Sequence, residues 1–114
     1  MGGWIGVDLD GTLAEYHGWR GIEHIGKPIR LMCDRVRTWL EKGKDVRIFT
    51  ARVSERDSGE MARCIFAIEN FCLREFDERL PITNVKDFDM IQLWDDRAVQ
   101  VVFNTGERIG EEIR

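Results

Sequence analysis

Short apolar runs and longer amphipathic stretches alternate along the chain. Residues 4–8 form an apolar run that ends on Asp8, the pattern of a short buried strand. A glycine-rich loop follows, carrying Gly11, Thr12, Tyr16, His17, Gly18, Trp19, Gly21 and Gly26. Pro28 then sits where a helix can begin. Ile29, Met32, Val36, Trp39 and Leu40 recur at helical spacing until Gly43 closes the segment. Residues 46–50 read as a second buried strand. Asp57 and Glu60 resemble a capping box, ahead of a helix whose inner face is Met61, Ile65, Ile68 and Cys72. After Pro81, residues 82–85, 91–94 and 99–103 read as three further strands. Trp39, Met61 and Phe66 are expected in or near the core, and the polar tail 105–114 is expected to fray. Strands alternating with helices predict an α/β domain with a mainly parallel, five-stranded sheet.

The chain has 114 residues, of which 43% are hydrophobic and 33% charged, so one domain with its own core is expected over 1–114. A core of this size needs no metal or disulfide to fold, and a bound metal is expected to serve chemistry. The net charge of −4 argues against bulk, non-specific binding of nucleic acid, which would enter only as a substrate. No apolar run approaches the roughly 20 residues that cross a membrane. Residues 1–10 lack the basic and apolar regions of a secretory signal, so a cytoplasmic protein is expected. Cys33, Cys64 and Cys72 fit neither a zinc spacing nor a complete disulfide set and read as reduced core thiols.

The candidate chemistry lies where the strands end. Ligands of parallel sheets bind outside the carboxyl ends of the strands, and Asp8, Thr50 and Asp95 all stand there. Asp8, Asp10, Asp95 and Asp96 could converge across the sheet. Carboxylates packed together repel, and a divalent cation relieves that repulsion. Hard oxygen ligands favour Mg²⁺. Thr50 offers a hydroxyl and Lys86 a cation for a phosphoryl group. Arg52, helped by Arg56, is a second candidate for phosphate. Each of these residues alone is as well explained by turns, caps or solvated charge; their order together is what points to a site.

Taken in order, the segments resemble the haloacid dehalogenase superfamily. Asp8, Leu9, Asp10, Gly11 and Thr12 match its Asp-x-Asp-x-Thr motif after an apolar strand. Thr50 matches the Thr or Ser that ends its second motif strand, Lys86 its lysine, and Asp95 with Asp96 its final acidic pair. The match spans residues 4–96. The resemblance implies a Rossmann-like three-layer sandwich and an Mg²⁺-dependent phosphomonoester phosphatase. Asp8 would be the nucleophile, forming an aspartyl phosphate. Asp10 would protonate the leaving oxygen and then activate water. Thr50 and Lys86 would hold the phosphoryl group, with Gly11, Thr12, Ala51 and Arg52 also expected against substrate. Mg²⁺ would be held by Asp8, the Asp10 carbonyl and the Asp95–Asp96 pair, with Asp96 expected as the direct ligand and the reverse left open.

Many members carry a cap domain. Here 39 residues (11–49) separate Asp10 from Thr50 and 35 residues (51–85) separate Thr50 from Lys86, too few for a folded cap. The resemblance is therefore to capless members. An open site admits a bulky ester, such as a nucleotide or a nucleic-acid 3′-phosphate, or a homo-oligomer supplies the lid. The loop 13–27, with Trp19, is the local lid candidate. Two readings of another class stand beside this one. A receiver-like signalling module also uses acids, Thr and Lys, but in a different order. A non-catalytic metal- or phospholigand-binding module would keep the site without turnover.

Overall fold

The computed structural model describes residues 2–110. The elements run β1 (Trp4–Asp8), α1 (Arg30–Glu41), β2 (Asp45–Phe49), a short 3-10 turn (Ala51–Val53), α2 (Ser58–Phe76), β3 (Ile82–Thr83) and β4 (Met90–Trp94). The four strands form one sheet in the order β3-β2-β1-β4, with every pairing parallel. The described residues thus form an α/β fold with a four-stranded parallel sheet and two α-helices.

The end of α1 and the start of α2 follow local chemistry, whereas α1 begins at Arg30 with Ile29 at its N-cap and no side-chain cap. Gly43 takes φ +76° after α1 and donates its N–H to the Leu40 carbonyl. Asp57 caps α2 by accepting the Glu60 N–H at 2.8 Å. The buried stripe of α2 is Cys64, Ile68, Phe71, Cys72 and Phe76, rotated from the expected face, so Met61 and Ile65 are only half-buried. Phe66, expected near the core, is 64% exposed for the same reason.

Both helices lie on one face of the sheet. The chain steps from β1 to β2 to β3 in a single direction, and right-handed crossovers in one direction deliver both helices to the same side. Ile5, Val7, Val46 and Ile48 pack there with Met32, Cys33 and Val36 of α1 and with the α2 stripe, in one core. The expected three-layer sandwich is therefore two-layered among the described residues. The return from β3 to β4 takes only six residues, 84–89, too few for a helix. It reaches the other face, where Asp87 accepts the indole N–H of Trp4 at 2.7 Å. Gly6 leaves room on that face for Met90, Trp4 and Leu93 side chains.

The fifth strand is also absent from the sheet. Residues 99–103 are apolar in pattern, but they pair locally, Val101 bridging Arg108 and Phe103 already lying in a turn. Val102 donates to the Glu107 carbonyl and Ile109 to that of Gln100, around a turn with Asn104 at φ +64° and Gly106 at φ +79°. Asn-Thr-Gly turn chemistry made a small hairpin arm where the apolar run alone promised a sheet strand. Val101 and Phe103 stay 51% and 86% exposed. The part of the tail expected to fray at 111–114 lies outside the described residues. Cys33, Cys64 and Cys72 are buried free thiols, and burial pushes Cys33 and Cys72 up to about 11.

Candidate functional site

Parallel pairing puts every strand's carboxyl end at the same side, and the register sets which residues meet. Asp8 pairs with Phe49, so Thr50 stands one step beyond it. On the other side an irregularity near Ile91 shifts β4 by one residue, pairing Val7 with Trp94. That bulge leaves Ile91 exposed and brings Asp95 level with Asp8. Trp94 is fixed from α1 by the Trp39 ring at 5.2 Å and the Arg35 guanidinium at 5.2 Å.

Asp8, Asp95 and Asp96 each present a carboxylate oxygen, all within 4.8 Å of one another. Gly11 makes this approach feasible. It takes φ +86°, and a Cβ there would lie 2.8 Å from an Asp96 oxygen. The Thr12 hydroxyl sits between the acids, 3.0 Å from Asp96 Oδ1 and 3.4 Å from Asp8 Oδ2, and it accepts the Asp96 N–H at 3.0 Å. Gly11 and Thr12 thus shape and tie the acidic cluster. Asp8 is raised from 3.8 to about 7, first by burial, then by its hydrogen bond to Asp96 and the charges of Asp95, Asp96 and Asp10. Three hard oxygen donors in mutual repulsion fit a divalent cation as a class.

Asp10 is turned the other way. Its two oxygens accept from Arg52 Nε at 2.7 Å and Nη2 at 2.8 Å, a bidentate pair. Arg52 is 6% exposed. Its remaining donors reach the carbonyls of Ile22 (3.1 Å) and His24 (2.8 Å), and the Trp19 ring lies 5.1 Å from its guanidinium carbon. Arg52 is thus engaged with the protein and is not a free phosphate ligand. Thr50 is buried, and its hydroxyl oxygen accepts the Arg52 N–H at 3.1 Å. That cap starts the 3-10 turn holding Ala51 and Arg52.

These residues line a cleft of about 820 Å³. It is lined by Asp8, Asp10, Asp95 and Asp96, by Phe49, Thr50, Ala51 and Arg52, and by Ser54, Arg56, Asn84, Arg97, Tyr16 and Trp19. Arg97 was missed in the sequence. It donates its N–H to Asp95 at 2.7 Å, and its position directly after the acidic pair was the available signal. Asn84 donates to the Ser54 hydroxyl at 3.1 Å, both residues lining the cleft. Lys86 is exposed and is not among the residues lining this cleft. It rides on the 84–89 return, which leaves the carboxyl end for Trp4 at the opposite end of β1.

No known protein family and no curated protein matches the chain. Among solved structures it is similar to a conserved protein from Bacteroides thetaiotaomicron, at 17% identity and a TM-score of 0.58, over 87% of this chain and 79% of that one. At that identity the likeness concerns the fold. Among the described residues no helix is long and apolar enough to cross a membrane.

Proposed function

We propose that this chain is a capless phosphohydrolase of the haloacid dehalogenase type, cleaving a phosphomonoester with Asp8 as nucleophile and Mg²⁺ as cofactor. The observation that carries the reading is Asp8 itself. It stands at a strand's carboxyl end, opens on a cleft, and shares its corner with Asp95 and Asp96. That convergence is what the Asp-x-Asp-x-Thr motif and the late acidic pair call for.

Asp8, Asp95 and Asp96 would hold the cation, whose chemistry there is to offset the acids' repulsion and polarise the phosphoryl oxygens. Asp8 Oδ forms its bond to phosphorus as the bond from phosphorus to the leaving oxygen breaks, and Asp10 gives that oxygen its proton. Water then attacks phosphorus and passes a proton to Asp10; the aspartyl bond breaks and inorganic phosphate leaves. The Thr50 hydroxyl faces the phosphoryl group. Arg97 and Arg56, which line the cleft, take the charge-neutralising role expected of Lys86. Trp19 and these guanidiniums suit a substrate that carries more than its phosphate, such as a nucleotide or a phosphorylated nucleic-acid end.

A non-catalytic phospholigand-binding module is the second reading. Two observations favour it: Lys86 stands away from the cleft, and both Asp10 oxygens are already bound by Arg52. Phosphate release from an aryl phosphate and a panel of metabolites, nucleotides and 3′-phosphorylated oligonucleotides separates the two. Turnover that requires Mg²⁺ and is lost in Asp8→Asn carries the enzyme reading. Folded wild type that binds Mg²⁺ and turns over nothing on the panel overturns it in favour of the binding module.

A further inference from the structure

The Arg52 side chain carries more bonds than a phosphate ligand or a simple ion pair needs. Its donors serve Asp10 twice and the Ile22 and His24 carbonyls once each. Those carbonyls belong to the loop 13–27, thirty residues away in sequence. The same guanidinium lies against Trp19 in that loop, with Arg56 on the ring as well at 5.5 Å. Elsewhere the loop is held by Glu15 donating to the Lys27 carbonyl, Ile29 to that of Leu13, an exposed Arg63–Glu23 ion pair at 3.3 Å, and Ile22 and Ile25 against the core. Arg52 joins it to the Asp10 carboxylate. Tyr16, Trp19 and His24 stay exposed on it.

We infer that Arg52 is a positioning residue that makes the orientation of Asp10 and the order of the loop over the cleft one cooperative unit. A planar fork can satisfy two carboxylate oxygens and two carbonyls at once because its donors are fixed in one plane. Removing either partner breaks the set: without Asp10 the guanidinium loses two charge-assisted bonds and its hold on the loop, and without the fork Asp10 loses the partner that fixes its side chain. To pass a proton, one Asp10 oxygen must leave the fork while the other keeps it in place. The role of Asp10 in proton transfer rests on the phosphohydrolase reading; the coupling between Asp10 and the loop does not.

Trypsin reads the loop directly, because Arg20 is exposed there and followed by Gly21. Asp10→Asn keeps the shape of the acid and removes its charge. Arg52→Lys keeps the charge and removes the fork. Each is expected to speed cleavage after Arg20 by about tenfold or more, the loss of hydrogen bonds to a charged group, with circular dichroism unchanged. The double variant should open the loop no further than either single one. If Arg52→Lys does not fold, Asp10→Asn tests the same coupling from the opposite side. Cleavage at the wild-type rate in folded Asp10→Asn overturns the inference.

Turnover gives an independent arm. With Asp10 misaimed, Arg52→Lys should lose kcat far more on alkyl phosphates than on p-nitrophenyl phosphate, whose leaving group needs little protonation, with KM little changed. An equal loss on both, or a loss confined to KM, overturns the positioning role. Opening of the loop in variants of a protein that turns over no ester would retain the coupling and remove the phosphohydrolase reading.

Discussion

The two ends of the sheet carry clefts of nearly equal size, about 820 Å³ at the carboxyl ends and about 860 Å³ at the amino ends. Both contain acids and tryptophan: Asp8, Asp10, Asp95 and Asp96 with Trp19 at the carboxyl ends, Asp45 and Asp89 with Trp4 and Trp39 at the amino ends. At the amino end Asp45 and the neighbouring Asp87 have partners. Arg47 grips Asp45 at 2.9 and 3.2 Å and lies 4.6 Å above the Trp4 ring. Asp87 accepts from the Trp4 indole and from the Asp89 N–H, and those bonds hold its carboxyl below the usual range. At the carboxyl end Asp8, Asp95 and Asp96 face one another, and Asp8 is pushed up to about 7. Acid content is thus a poor guide to chemistry. What marks the carboxyl end is charge left in conflict by the fold, which a ligand can relieve.

The largest expected effect separates the ends by activity. Asp8→Asn should lower turnover by on the order of 10⁴-fold or more, the scale of losing a nucleophile. Asp87→Asn, at the amino end, should keep turnover within about twofold, because a surface change away from the site rarely does more. Steady-state rates on one ester decide it. Equal losses in both variants would erase the contrast between the two ends.

A cation should act on one end only. Mg²⁺ at about 100 times its Kd should stabilise the wild type by about 2.7 kcal/mol through linkage. Asp96→Asn, which removes one of the three donors, should cancel most of that shift. Thermal melts with Mg²⁺ and with EDTA read it. A shift that survives in Asp96→Asn would put the cation elsewhere.

Proton linkage runs in opposite directions at the two ends. The folded chain keeps the Asp8 proton up to about 7, whereas an ordinary aspartate loses it near 3.8. The metal-free fold therefore has this contribution in full below 3.8 and loses it as pH rises toward 7. Above pH 7, Asp8→Asn should be more stable than wild type without metal, by about 1–2 kcal/mol, because solvent screens a half-exposed carboxylate. Asp87 works the other way: its bonds help above the usual carboxylate range and are lost as pH falls. Melting curves of both Asn variants from pH 2 to 8 should depart from wild type in opposite senses: the Asp8→Asn difference changes between 3.8 and about 7, and the Asp87→Asn difference fades only below 3.8.

Much of this contrast was legible in the chain. Asp8, Thr50, Asp95 and Asp96 could be placed because each ends an apolar run, and parallel strands bring such ends together. The Asp57 cap and the Gly43 stop follow from local chemistry alone. Other features depended on partners far away in sequence. Asp10 and Arg52 are 42 positions apart, and nothing near Arg52 says that it will turn inward. The 99–103 run has strand composition, but its neighbouring turn residues chose a local hairpin over the sheet. Phe66 looked internal by type and was turned outward by a small rotation of the α2 stripe. The site's acids were set by local pattern; its cations were set by packing.

Lys86 gives the smallest and most discriminating effect. By family resemblance it should sit beside Asp8 and cost several kcal/mol of transition-state stabilisation when removed. Here it rides a six-residue return whose next residue, Asp87, is bound to the Trp4 indole at 2.7 Å. Reaching the acids would mean giving up that bond or reshaping the return. Arg97 already lines the cleft and is joined to Asp95 through its own N–H. Lys86→Met should therefore change kcat/KM by less than about threefold, within about 0.6 kcal/mol, while Arg97→Met should cost more. The reverse order in a kinetic comparison of the two variants would mean that the return moves during turnover and carries Lys86 to the acids. In that case the contrast between the ends would hold only for the resting protein, because the segment bound to Trp4 at the amino end would also serve the other.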